Sequence, residues 1–308
     1  MAAAFARRSP AAVVVALATV YVVWGSTYLA IRITDRTMPP LLMSSTRFLV
    51  AGVVLYALAS RGRARPTLRE WGAAAIAGAA LLLVGNGSVA WSETRIDSGL
   101  AALIVAIIPL WVAILDRTLF GRRLSPLAVI GLVAGFGGVA LLVRPGGGVD
   151  FVPAIALVVA TAAWAAGSLY SRGAPLPTSP LLSASMQMIA ASAMLGVAGV
   201  SGGELGNVHR DSFSAKPLAA LAYLAVVGSI GAFSAYAWLL KNVRISVVST
   251  YAFVNPVVAV GLGAVFLGES ITATTLTAGA AIVLAVVLIV TAREPRPRPH
   301  GAPVRATA

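Results

Sequence analysis

Ten stretches of about 20 apolar residues, separated by short polar connections, set the terms on which this chain folds. They fall at approximately residues 11–33, 40–60, 70–92, 98–119, 126–143, 151–172, 180–200, 217–240, 246–267 and 272–292. About 20 residues of helix cross the hydrocarbon of a bilayer. Inside lipid, only a helix or a closed barrel satisfies its own backbone hydrogen bonds. Of 308 residues 59% are hydrophobic and 11% charged, against about 45–50% and 25% in an ordinary soluble domain. No aqueous core hides that much apolar surface. The expectation is an all-α membrane protein of ten transmembrane helices, with the lipid bilayer as its solvent.

The net charge is +13, and its placement decides what it means. With connections assigned alternately to the two sides, one side holds both termini and the loops after spans 2, 4, 6 and 8. That side carries 16 Lys/Arg and the other 5. The positive-inside rule puts the richer side, and so both termini, in the cytoplasm. The charge is then a topology signal for a multi-pass protein of the cytoplasmic membrane, not a nucleic-acid surface. The opening "ARRSPAAVVVALATVYVVWGSTYLAIRI" starts like a signal peptide, but its apolar run is about twice as long as a signal's. No small-residue cleavage site closes it, so it reads as the first span. Residues 293–308, basic and Pro-rich, read as a disordered cytoplasmic tail. Cysteine is absent, which excludes disulfides and thiolate ligands.

An Asn-Pro pair, Asn255-Pro256, interrupts the apolar stretch "YAFVNPVVAVGLGAVFLGE". Proline removes a backbone donor and clashes with the carbonyl four residues earlier. A shift of 147 residues lays "AWSETRIDSGLAALIVAIIPLWVAILDRTLFGRR" on "AWLLKNVRISVVSTYAFVNPVVAVGLGAVFLGES", so that Trp91 meets Trp238, Pro109 meets Pro256 and Gly121 meets Gly268. Nearer the N-terminus a shift of 140 pairs Trp24 with Trp164, Arg32 with Arg172 and Ser45 with Ser185. The chain therefore reads as two five-span repeats, residues 11–145 and 151–292. Five is odd, so the second repeat is inverted relative to the first. Inverted repeats are a secondary-transporter design, with substrate bound near the midplane between the halves. Pro109 and Pro256 then free the carbonyls of Val105 and Ala252 at matching depths, as helix breaks facing a cavity or as packing kinks.

The stretches "VVWGSTYLAIR", "SGLAALIVAIIPLWVAILD" and "FVNPVVAVGLGAVFLGE", in two five-span halves, resemble the EamA-type members of the drug/metabolite transporter superfamily. The similarity covers roughly residues 11–292. It implies an export carrier for small metabolites, often amino acids or amphipathic drugs, with a central cavity lined by spans 1, 3, 4, 6, 8 and 9. Smaller relatives in the superfamily carry a glutamate in span 1, where this chain has Trp24 and Gly25. That departure argues for facilitated or weakly coupled transport over proton antiport. Glu93 is the reserve candidate for proton linkage.

Substrate contacts are expected among polar and aromatic residues at membrane depth. Arg47 is the strongest signal, because a charge in hydrocarbon costs about 2.5–3.5 kcal/mol on insertion scales and so needs a partner, a cavity or the interface. Three roles stay open for it: a pair with Glu93, a substrate carboxylate, or snorkelling. Its repeat counterpart is the neutral Gln187. Trp24, Thr27 and Tyr28 share a turn of span 1, and Trp164, Ser168 and Tyr170 sit in the related part of span 6. Aromatic rings with polar edges suit amphipathic solutes. Asn86, Gln187, Ser229 and Asn255 are either cavity contacts or helix–helix glue. Gly131 and Gly135 have small-xxx-small spacing, for packing within one subunit by default and for a homodimer otherwise.

An enzyme would need a nucleophile with its base, a metal cluster or paired carboxylates at depth. The histidines, His209 and His300, fall in a loop and the tail, and Glu93, Asp97, Asp116 and Glu269 fall near span ends. No catalytic residues, metal site or cofactor are expected. The expected partners are a small-molecule substrate and lipid, with the protein a monomer or homodimer.

Overall fold

The computed structural model describes residues 10–121, 125–143, 150–208 and 213–291; His209, His300 and the expected tail lie outside them. Within these bounds the chain is helical, with no strand. The first half comprises α1 (Pro10–Thr34), α2 (Pro40–Ala59), α3 (Leu68–Gly78), a π-helical stretch (Ala79–Asn86), α4 (Gly87–Glu93), α5 (Ser98–Val105), α6 (Ile108–Phe120) and α7 (Pro126–Val143). The second comprises α8 (Phe151–Gly173), α9 (Pro180–Ser201), a short 3₁₀ turn (Glu204–Asn207), α10 (Ala215–Tyr223) and a second π-helical stretch (Leu224–Phe233). It continues with α11 (Ser234–Asn242), α12 (Ile245–Val248), α13 (Tyr251–Leu262), a third π-helical stretch (Gly263–Leu267) and α14 (Ala273–Thr291). Among the described residues nine continuous helical runs are long and apolar enough to cross a membrane, and Val254–Leu267 is a shorter apolar one. Large apolar side chains such as Val54, Val133, Val265 and Leu276 point outward, as lipid contact requires.

Local chemistry sets the ends. Pro40 and Pro180 open α2 and α9, where a missing N–H costs nothing. Thr67 and Glu70 form a reciprocal capping box at the start of α3. Gly121 and Gly268, one repeat shift apart, end α6 and the third π-helical stretch with φ of 66° and 70°, a conformation open to glycine without strain.

The two most extensive helix pairings are α2 with α9 and α7 with α14. A Cβ on Gly131 would lie 2.8 Å from the Ala285 carbonyl oxygen, so the small residues of α7 are used against α14 within the chain. One polar bond occurs in both halves. Arg32 Nη1 donates to the Glu93 carbonyl, and Arg172 Nη1 donates to the Leu240 carbonyl at 2.8 Å. Donors and acceptors are related by the shifts of 140 and 147.

The two prolines are not used alike, which corrects the expectation of matched breaks. Pro109 sits in the first turn of α6, just after a tight turn at Ala106 and Ile107 that separates α5 from α6. Pro256 lies inside the continuous helix α13, and the interruption in that span comes earlier, at Ser249 and Thr250. A proline at a helix start sacrifices no bond. One inside must be accommodated by its surroundings, and Asn255 beside it ties α13 to α1.

Candidate substrate cavity

The helices leave a central cavity in which the centre of a water molecule can range over about 60 Å³, several times the ~10–15 Å³ that one water needs. From the first half, its walls are Trp24, Thr27, Tyr28 and Ile31 of α1, Arg47 and Phe48 of α2, and Leu82, Gly85 and Asn86 of the first π-helical stretch. Val89, Val105 and Ile108 add to them. The second half contributes Ala160, Thr161 and Trp164 of α8, Gly228 and Phe233 of the second π-helical stretch, and Tyr251 and Asn255 of α13.

An aromatic cluster forms one side. Trp24 and Trp164 meet edge to face, centroids 5.4 Å apart at 87°. Tyr236 lies 4.8 Å and Tyr251 5.3 Å from the Trp24 ring, centroid to centroid. The cluster is held by hydrogen bonds: Trp164 Nε1 donates to the Tyr236 hydroxyl at 3.0 Å, and Ser168 Oγ joins the same hydroxyl at 2.6 Å. Ser168 therefore positions a ring rather than lining the cavity. Gly85 leaves room for the indole, since a Cβ there would come within 2.7 Å of Trp164 Cε3.

Opposite polar edges complete the lining. The Asn86 Oδ1 atom is buried without a partner. Turned with its nitrogen toward α1, the Asn255 amide donates to the carbonyls of Tyr21 at 2.9 Å and Tyr251 at 3.2 Å, so it lines the cavity and joins two helices. Arg47 is 3% exposed. Its Nε donates to the Leu224 carbonyl at 3.1 Å and to Ser229 Oγ at 2.8 Å, while Nη1 has no partner. Its guanidinium lies 4.8 Å from the Phe48 ring centroid. Ser229 holds Arg47 from behind and does not line the cavity. Gln187 bonds Ser183 at 3.0 Å and packs elsewhere.

Of the three roles left open for Arg47, the pair with Glu93 is not formed among the described residues. Glu93 is 0% exposed and its carboxyl oxygens have no partner among the described residues. Arg47 lies well inside its helix, whereas Glu93 is the last residue of α4. Near that end Asp35, between α1 and α2, has its carboxyl pushed well above the usual range by burial. Glu204 adds to the shift and Arg32 opposes it. Two other acids at this end serve as caps. Glu269 accepts from Ser98 N and Oγ at 2.9 and 2.7 Å and from Gly99 N at 3.1 Å. Glu204 accepts from Leu41 N and Leu42 N. No group of three or more His, Asp or Glu is arranged to hold a metal among the described residues.

Sequence reasoning missed Tyr236, Tyr251, Phe233 and Thr161. The shift of 147 held a signal for two of them, because it lays Phe233 on Asn86 and Tyr236 on Val89.

The model of the EamA-like transporter family matches residues 11–144 and again 152–291. The chain belongs to the EamA-like transporter family. It is 39% identical over 298 residues to the uncharacterized inner membrane transporter YedA of Escherichia coli K12, covering 94% of each chain. It is 28% identical to a probable terminal-alkyne amino-acid exporter of Streptantibioticus cattleyicolor, over 89% of this chain and 92% of that one. A solved crystal structure shares the fold of this EamA-like protein at 22% identity and a TM-score of 0.65, covering 91% of this chain and 96% of the other. This EamA-like chain is a membrane transporter.

Proposed function

We propose that this transporter exports small carboxylate-bearing metabolites with an apolar or aromatic body, amino acids foremost, across the cytoplasmic membrane. Two inverted five-helix halves alternate around the central cavity, with both termini in the cytoplasm. The observation that carries the reading is Arg47: a buried guanidinium on the cavity wall with, among the described residues, no carboxylate beside it and Nη1 unbonded. A cation held dry without a counter-charge is costly, and a bound carboxylate offsets that cost through charge-assisted bonds. Trp24, Trp164 and Tyr251 offer faces for the rest of the solute. Support for the inverted pairing comes from the matched Arg32 and Arg172 bonds and from the π-helical stretches, which end at Asn86 and Phe233, one repeat shift apart. The exporter named for terminal-alkyne amino acids, at 28% identity, supports the substrate class.

Among the described residues the cavity lining contains no carboxylate, so a proton exchanged there against a cationic drug finds no carrier among them. The test is counterflow in liposomes, with labelled amino acids as probes. Exchange should occur, and the final accumulation ratio should ignore an imposed pH gradient. Strong gradient-driven accumulation would overturn the facilitated mechanism, and absence of exchange with every carboxylate solute would overturn the substrate class.

A further inference from the structure

Glu93 is wholly buried, and neither carboxyl oxygen has a hydrogen-bond partner among the described residues. The neighbouring Arg32 uses its guanidinium on the Glu93 main-chain carbonyl instead. The second half makes the same bond from Arg172 to the carbonyl of Leu240, where the matched side chain is apolar. The scaffold therefore has no need of a carboxyl at position 93.

An ionised carboxylate held dry and unpaired is far costlier than a neutral acid. The charges felt at Glu93 do not relieve this: Asp35 and Glu269 are like charges, and Arg32 alone opposes them. Of the elements packed on α4, α5 and the first π-helical stretch carry no ionisable side chain. Arg47 of α2 faces the cavity, Tyr170 and Arg172 of α8 stand at its far end, and Asp97 lies in the connection to α5. Asp35, in the connection after α1, is half-buried as a residue, and both its carboxyl oxygens are buried and unpartnered. Tyr28 lies on the inward side, within electrostatic range of Glu93, and lines the cavity.

We propose that Glu93 is a proton-binding site at the outer end of the cavity: it holds a proton while that end is closed and releases it, by way of Asp35, when the end opens. On opening, the carboxyl O–H bond breaks, the proton passes to outer water and the carboxylate becomes hydrated. The inference rests on the alternating-access reading above. Its consequence is control by external acidity. Each opening releases one proton, so outer acid favours the closed end by up to about tenfold per pH unit, without driving net solute flux.

The chain has no cysteine, so one introduced by Val89→Cys, on the cavity wall one turn before Glu93, is a clean probe. Labelling by a membrane-impermeant maleimide from outside is measured on the full chain in right-side-out vesicles, with Glu93 or Glu93→Gln. Comparing the two at each pH cancels the thiol's own ionisation. At external pH of about 8 the Gln variant should label at least about fivefold more slowly than the parent, and at about pH 5 the two should agree. Glu93→Leu, which copies Leu240, should behave as Glu93→Gln and guards against a folding defect in either. A ratio independent of pH overturns the proposal. So does a ratio that follows replacement of sodium by choline rather than pH. No substrate is added, so failure here is separable from failure of the transport assay.

Discussion

Replacing Arg47 by Lys keeps the charge and removes the planar fork. In the structure Nε is committed to Leu224 and Ser229, at 3.1 and 2.8 Å, and Nη1 makes no bond. A carboxylate seated on the outer nitrogens gains two charge-assisted bonds, of which lysine retains one. A hydrogen bond to a charged group is worth about 1.5–3 kcal/mol, so affinity for carboxylate solutes should fall about 10- to 150-fold. Isothermal titration of the detergent-solubilised protein with amino acids, beside their amides and decarboxylated amines, reads this directly. The amines should bind unchanged or better. Stability supplies an independent check. Ser229 Oγ keeps its own bond to the Leu224 carbonyl at 3.0 Å, so Arg47→Met strands no acceptor and removes a charge that lacks a counter-ion. Its melting temperature should stay near the parent's, whereas breaking a buried ion pair would cost about 3–5 kcal/mol. Equal loss of affinity for acids and amines, or a collapse of stability on Arg47→Met, would refute the carboxylate role.

Gly85→Ala places a Cβ against Trp164 and should cost about 1–3 kcal/mol by overpacking; it should also change the solute profile in a liposome panel, as Trp24→Ala and Trp164→Ala should. Glu269→Gln weakens the cap that ties the start of α5 to the far end of the chain, and should lower stability by about 0.5–2 kcal/mol in a melting curve. Asp35 takes up a proton on folding because its carboxyl is raised well above the usual range. The stability it contributes is present below the ordinary carboxylate value and is lost as pH rises through the folded one. Asp35→Asn should therefore remove part of the decline in melting temperature as pH rises above about 4, and an identical slope in both proteins would contradict it.

The spans were readable because bilayer thickness fixes helix length: residues 126–143 and 40–60 became Pro126–Val143 and Pro40–Ala59. Trp24, Trp164 and Arg47 were readable for a related reason, since an indole or a charge far from either interface needs a purpose. Tertiary partners were not. Arg47 and Glu93 are both buried ionisable groups, and nothing in their spacing says that one faces the cavity while the other closes a helix end. The uneven use of Pro109 and Pro256 was hidden likewise. A proline marks a missing donor, but its neighbours decide whether the helix restarts there or runs on. The π-helical stretches have no residue signature, because "AALLLVGN" and "LAVVGSIGAF" suit an α-helix equally well.

Those two wide turns have a mechanical consequence. Each carries i→i+5 bonds in place of i→i+4, and so stores one surplus residue within a helix that is otherwise regular. A wide turn of this kind behaves like a dislocation in a crystal: it can migrate along the rod by exchanging one hydrogen bond for another at each step. Each residue it passes is rotated by about 100° relative to the remainder. With one such defect at Ala79–Asn86 and one at Leu224–Phe233, the helices on both sides of the cavity have a way to present a different face to the solute while every step leaves the rod intact.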